Sequence, residues 1–107
     1  MLDSTTRTLL QDLKAGLSII YGRRLKGVYV YGSYARGEAG KESDVDILVV
    51  LDDFDRYGAE VDRTSELSAR LSLRHGVSVS KVFVRERDWL VRITPFLENV
   101  REEARLV

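Results

Sequence analysis

The stretch Gly27-Val28-Tyr29-Val30-Tyr31-Gly32-Ser33-Tyr34-Ala35-Arg36-Gly37-Glu38, followed four residues on by Ser43-Asp44-Val45-Asp46-Ile47-Leu48-Val49-Val50-Leu51, decides the fold. Its opening is rich in the β-branched and aromatic residues of a strand and runs straight into a glycine turn. Its close, from Ile47 to Leu51, is a continuous apolar run, the pattern of a strand covered on both faces and therefore central in its sheet. Residues two apart in a strand point to the same side, so Asp44 and Asp46 present their carboxylates together while Val45 faces packing.

Two carboxylates held near 4 Å repel by roughly 4 kcal/mol at an effective dielectric of 20, which raises one pKa or calls in a cation. A small number of hard oxygen ligands, with room left for water and phosphate, suits Mg²⁺. Gly32 lets the backbone approach a ligand with no Cβ in the way, and Ser33 adds a hydroxyl. The amides of the turn and the Arg36 guanidinium are further anion ligands. The candidate site is therefore Gly32, Ser33 and Arg36 for a phosphate chain, with Asp44 and Asp46 for its metal. Either half alone is ordinary loop punctuation, since glycines and short polar residues mark turns everywhere. Their joint occurrence between a strand and a buried strand is what carries the inference.

Working outward, Leu9, Leu13, Leu17 and Ile20, widened by Thr6 and Leu10, predict a helix from Ser4 or Thr5 to about Arg23. Asp52, Asp53 and Asp55 are expected to cap a second helix. In that helix Tyr57, Val61, Thr64, Leu67 and Leu71 share a stripe, and His75-Gly76 closes it. His75 is read as a partner of that helix's dipole, and Arg23, Arg24 and Lys26 as a solvated helix end. Val77 to Val84 predicts a third strand. Glu86 and Asp88 begin a short helical stretch, and Thr94-Pro95 is the N-cap and first position of a last helix reaching about Arg105. Trp89, Ile93, Phe96, Leu97 and Val100 are expected to pack on the sheet. Tyr29 and Tyr31 are read as core or sheet surface. The expected architecture is α/β (α+β), one small mixed sheet flanked by helices, with residues 1–107 as a single domain.

Composition narrows the function classes. Seventeen basic and seventeen acidic residues cancel, which argues against direct nucleic-acid binding. No apolar run is long enough for a membrane span. The absence of cysteine and of a secretory pattern at the start leads us to expect a cytoplasmic protein.

The two half-motifs, Gly32-Ser33-Tyr34-Ala35-Arg36-Gly37-Glu38 and Ser43-Asp44-Val45-Asp46-Ile47-Leu48-Val49, resemble the signature of minimal nucleotidyltransferases of the DNA polymerase β superfamily. The resemblance implies the polymerase β-like nucleotidyltransferase fold, phosphate binding by Gly32 and Ser33, and Mg²⁺ binding by Asp44 and Asp46. It further implies transfer of AMP from ATP to a hydroxyl, most simply on a HEPN-domain toxin with which such a domain pairs as antitoxin in a toxin–antitoxin hetero-oligomer. One departure stands out. Catalytic members of the superfamily usually place a third carboxylate on the strand after the helix, where this chain has Ser78 and Ser80. The alternative expectation is thus a nucleotidyltransferase fold with little or no turnover that neutralises its partner by contact.

Overall fold

The computed structural model describes residues 3–40, 44–91 and 94–107. Ser43 of the second half-motif and Ile93 of the expected apolar face lie outside the described residues. The elements run α1 (Ser4–Tyr21), a 3-10 turn at Gly22–Arg24, β1 (Leu25–Tyr31), α2 (Gly32–Arg36) and β2 (Val45–Leu51). They continue with α3 (Tyr57–His75), β3 (Val79–Arg85), α4 (Glu86–Val91), α5 (Pro95–Glu103) and β4 (Arg105–Leu106).

The sheet order is β3-β2-β1-β4, so β2 is central as its unbroken apolar run requires. β1 pairs antiparallel with β2 and with β4, while β2 and β3 run parallel. The sheet is therefore mixed. Alternation along β2 divides its side chains between two cores. Ile47, Val49 and Leu51 join Leu9, Leu13 and Leu17 of α1 with Leu67 and Leu71 of α3. Leu48 and Val50 join Trp89, Leu97 and Val100 from α4 and α5 on the other face. Trp89 thus packs on the sheet, its ring 5.0 Å from that of Tyr29, and Tyr31 meets Phe96 edge-on at 5.9 Å.

Several local expectations are corrected. Ile20 is solvent-exposed, and Tyr21, four residues beyond Leu17, takes the next core position of α1. In α3 the buried stripe is Glu60, Thr64, Leu67 and Leu71. Tyr57 and Val61 are exposed; the Tyr57 ring instead lies edge-on to Phe54 and Phe83, and its hydroxyl accepts from the Phe83 amide at 3.2 Å. The aspartates before α3 do not cap it, since Arg56 holds the N-cap position without a side-chain bond. Asp52 and Asp53 accept from the amides that follow them and pair with Arg24 and Arg85 instead. His75 sits in the last turn of α3 as expected, and its Nε2 lies 3.0 Å from Asp12 of α1.

The last helix stops at Glu103, and the next residues form β4, a strand too short to show periodicity. It is fixed by tertiary bonds: the Val107 amide donates to the Val28 carbonyl, and Arg105 Nε to the Ala35 carbonyl. Among the described residues no helix is long and apolar enough to cross a membrane.

Glu60 is tolerated in the core because both neighbours donate to one of its oxygens. The Tyr21 hydroxyl donates to Oε1 at 2.7 Å and Arg63 Nε to the same oxygen at 3.1 Å. Tyr21→Phe is therefore expected to cost about 1–3 kcal/mol, because it removes a bond to a buried charge and leaves nothing in its place. Urea denaturation of the two proteins, with unchanged m, checks it.

Candidate active site

β1 delivers Gly32 at its end, and β2 begins beside it: Tyr31 pairs with Asp46 across the antiparallel ladder. Gly32 is buried and has φ +74°, a left-handed conformation that side chains adopt only with strain. A Cβ there would run into the Asp46 carboxylate. The glycine is thus required twice, by its backbone and by the close approach of the acid. From Gly32 the chain coils into α2, which ends at Gly37 with φ +74° and carries Ser33 and Arg36 beside the strand end.

Asp46 follows the alternation of Leu48 and Val50, which puts it on the α5 side of the sheet. Asp44 lies just before β2 and is exposed. The two are close enough to sense one another. Burial first, then the Asp44 and Glu103 charges, hold the Asp46 carboxyl above its ordinary value, with Arg36 opposing. Burial and then Asp46 also push the Tyr31 phenol up to about 12, so it remains a neutral hydrogen-bond donor near pH 7.

Glu103 is the residue that sequence reasoning missed. It ends α5, and its carboxylate bridges the glycine turn: Gly32 N–H donates to Oε1 at 3.1 Å and Arg36 Nη1 to Oε2 at 2.8 Å. The Arg36 bond, reinforced by the Gly32 amide, holds this carboxyl below its usual range. Nothing local in the sequence marks it, because the contact spans 71 residues. Arg36 Nε also donates to Glu38 at 3.2 Å. On β3, Ser80 stands in register beside Asp46, so the neighbouring strand offers a hydroxyl there and no acid.

An Asp46 carboxyl crowded by the charges of Asp44 and Glu103, beside a backbone held bare of side chain, fits a small divalent cation. Two aspartates would be its protein ligands; among the described residues no group of three or more His, Cys, Asp and Glu is arranged to hold one. A separate concavity of about 430 Å³ opens beyond the other end of β2, lined by Arg24, Asp52, Asp53, Arg56, Glu60 and Arg63. Arg24 and Arg63 are already paired there with Asp52 and Glu60.

The raised Asp46 pKa has a consequence for stability. A folded state that holds the Asp46 proton more tightly than the unfolded chain is favoured at low pH, and that advantage is lost as pH rises through the raised value. In metal-free buffer at pH 7, Asp46→Asn is therefore expected to melt above wild type. The gap should close below about pH 3, where both forms are neutral, as calorimetry at a series of pH values would show.

The chain belongs to the nucleotidyltransferase family: the nucleotidyltransferase domain model matches its residues 10–107. A protein of Methanocaldococcus jannaschii, named provisionally a protein adenylyltransferase, is 35% identical over 99 residues, covering 92% of this chain and 93% of its own. A second protein of that organism with the same provisional description is 28% identical over 78 residues, 73% of this chain and 78% of its own. A solved structure described provisionally as a minimal nucleotidyltransferase is 30% identical with a TM-score of 0.58, covering 94% of each chain. The fold is shared as well with a chain from a toxin–antitoxin crystallised with AMP-PNP, at 21% identity and a TM-score of 0.58, over 90% of this chain and 70% of that one.

Proposed function

We propose that residues 1–107 form one domain that transfers AMP from ATP, with Mg²⁺, to a hydroxyl of a protein partner. The partner fitting the resemblance is a HEPN-domain toxin met in the cytoplasm, for which this chain is the antitoxin. The observation that carries the reading is the Asp44–Asp46 pair beside Gly32 and within reach of the Arg36 charge. Family membership supports the reaction class, and the relatives named as protein adenylyltransferases support a protein acceptor. Likeness in fold to a chain from a toxin–antitoxin complex supports the biological setting.

In this reading Gly32 N–H, the Ser33 hydroxyl and Arg36 hold the phosphate oxygens, while Asp44 and Asp46 hold Mg²⁺. When bound, the metal would neutralise phosphate charge and make the α-phosphorus a better electrophile. The acceptor hydroxyl gives up its proton to solvent, and its oxygen forms a bond to that phosphorus as the bond to the bridging oxygen breaks and pyrophosphate leaves. Arg36 stabilises charge that grows on the phosphates. Tyr31, kept protonated, can donate beside Asp46. With Ser80 rather than an acid next to Asp46, the chain supplies no base from β3, and slow turnover is expected.

A specific observation favours contact as a second reading: the missing β3 acid. Incubating the protein with its co-encoded partner, Mg²⁺ and ATP labelled in the α-phosphate tests both. Label is expected in the partner; silencing of the partner with no label in it would sink the transfer reading and leave neutralisation by contact.

A further inference from the structure

The donors that a nucleotide's phosphates would use are already engaged. One carboxylate, Glu103, accepts from the Gly32 amide through Oε1 at 3.1 Å and from Arg36 through Oε2 at 2.8 Å. It reaches them from the end of α5, a different element, so the arrangement is no local turn. The same carboxylate adds negative charge beside Asp46, which already faces Asp44. An acid serving only to brace Arg36 has no need of the Gly32 amide, and Glu38 already accepts from Arg36 Nε.

We propose that Glu103 is an internal stand-in for a phosphate group, and that a nucleoside triphosphate enters the cradle by displacing it. This rests on the nucleotide reading given above. Gly32 has a single N–H to give, so carboxylate and phosphate compete for it. Binding is then an exchange of partners, and its free energy is the difference between the two anions. A triphosphate carrying several charges wins the exchange, whereas a monoanion such as acetate does not.

The displacement is within reach of a side-chain rotation. The Glu103 side chain is 27% exposed, so one side of it already faces water. The backbone beyond it stays anchored, because Arg105 and Leu106 pair with Val30 and Tyr29 of β1. Glu103 thus sets the affinity of the phosphate site and the penalty for weak anions. After transfer its return to Gly32 and Arg36 would help expel pyrophosphate.

Calorimetric titration of ATP with Mg²⁺, and of tripolyphosphate, into wild type, Glu103→Gln and Arg36→Ala tests this. Glu103→Gln is expected to bind both ligands about 3- to 10-fold more tightly, since the charged competitor for Gly32 and Arg36 is a half-exposed ion pair of modest strength and its like-charge repulsion is removed with it. Arg36→Ala should bind more weakly. Binding by Glu103→Gln that is equal to or weaker than wild type would overturn the proposal and make Glu103 a brace. Should that variant fail to fold, wild type answers by NMR: the Glu103 side-chain carboxyl carbon must shift on titration with tripolyphosphate as the Gly32 amide changes partner. A carboxyl resonance that stays fixed while the ligand binds overturns the displacement. No binding by wild type or Glu103→Gln removes the nucleotide reading and this one with it; binding indifferent to Glu103 removes only this one.

Discussion

Asp44→Asn/Asp46→Asn is expected to lower the rate of AMP transfer about a thousandfold, roughly 4 kcal/mol at the transition state, while the fold persists. Asn keeps the shape of Asp but carries no charge, so the variant loses the proposed anionic ligands for Mg²⁺ and little else. Asp44 is exposed, and Asp46 is a carboxylate whose charge burial already disfavours; neither supports the core. Added Mg²⁺ should accordingly raise the melting temperature of wild type and leave that of the variant unchanged, because a ligand stabilises only the state that binds it. The check is single-turnover label transfer at saturating partner, with melting curves of the same preparations. A double variant that transfers at the wild-type rate would falsify the metal assignment. One that has lost transfer yet still silences its partner would separate catalysis from contact.

Gly32→Ala should be the most damaging single-methyl change in the chain. A side chain at φ +74° costs about 1–2 kcal/mol on conformational grounds, and the new Cβ would also collide with the Asp46 carboxylate. Together these are expected to cost about 2–4 kcal/mol, or a fall of roughly 10 °C or more in melting temperature for a domain of this size. Gly58, in α3, is the control: a Cβ there meets nothing within 4 Å, so Gly58→Ala should stabilise by about 0.5–1 kcal/mol through helix propensity. The two causes at Gly32 can be separated. In Gly32→Ala/Asp46→Ala the collision is gone and the strained backbone remains, so the double variant should be more stable than the sum of the single effects predicts. Urea denaturation of the four proteins gives the coupling.

Much of the fold was legible because short periods report directly on burial. The apolar run Ile47–Leu51 marked a central strand, Leu9-Leu13-Leu17 marked one face of α1, and Thr94-Pro95 marked the start of α5. Errors arose where a polar side chain took an apolar site, or the reverse. Glu60 displaced Val61 from the buried stripe of α3 because Arg63, one turn along the same helix, and Tyr21, from α1, satisfy it, and the Tyr21 contact cannot be read from α3 alone. Asp52 and Asp53 looked like helix caps, and their partners Arg24 and Arg85 come from outside the α3 region. At the candidate site, Gly32, Ser33, Arg36, Asp44 and Asp46 were all nameable because they lie on consecutive elements with a recognisable spacing.

The sequence by itself determined the strand that leads into the glycine turn and the buried strand that follows it, since backbone alternation and glycine's freedom from a Cβ act over a few residues. It also showed that no acid stands at Ser78 or Ser80, because residue identity needs no fold to be read. Only the tertiary structure decided what else surrounds that turn. The packing of α5 against the sheet carries Glu103 onto Gly32 and Arg36, and the pairing of β4 with β1 anchors the chain just beyond it. Such contacts join residues some seventy positions apart. They depend on the closure of both cores rather than on any local preference, and this is why the carboxylate that occupies the cradle could not be found by reading along the chain.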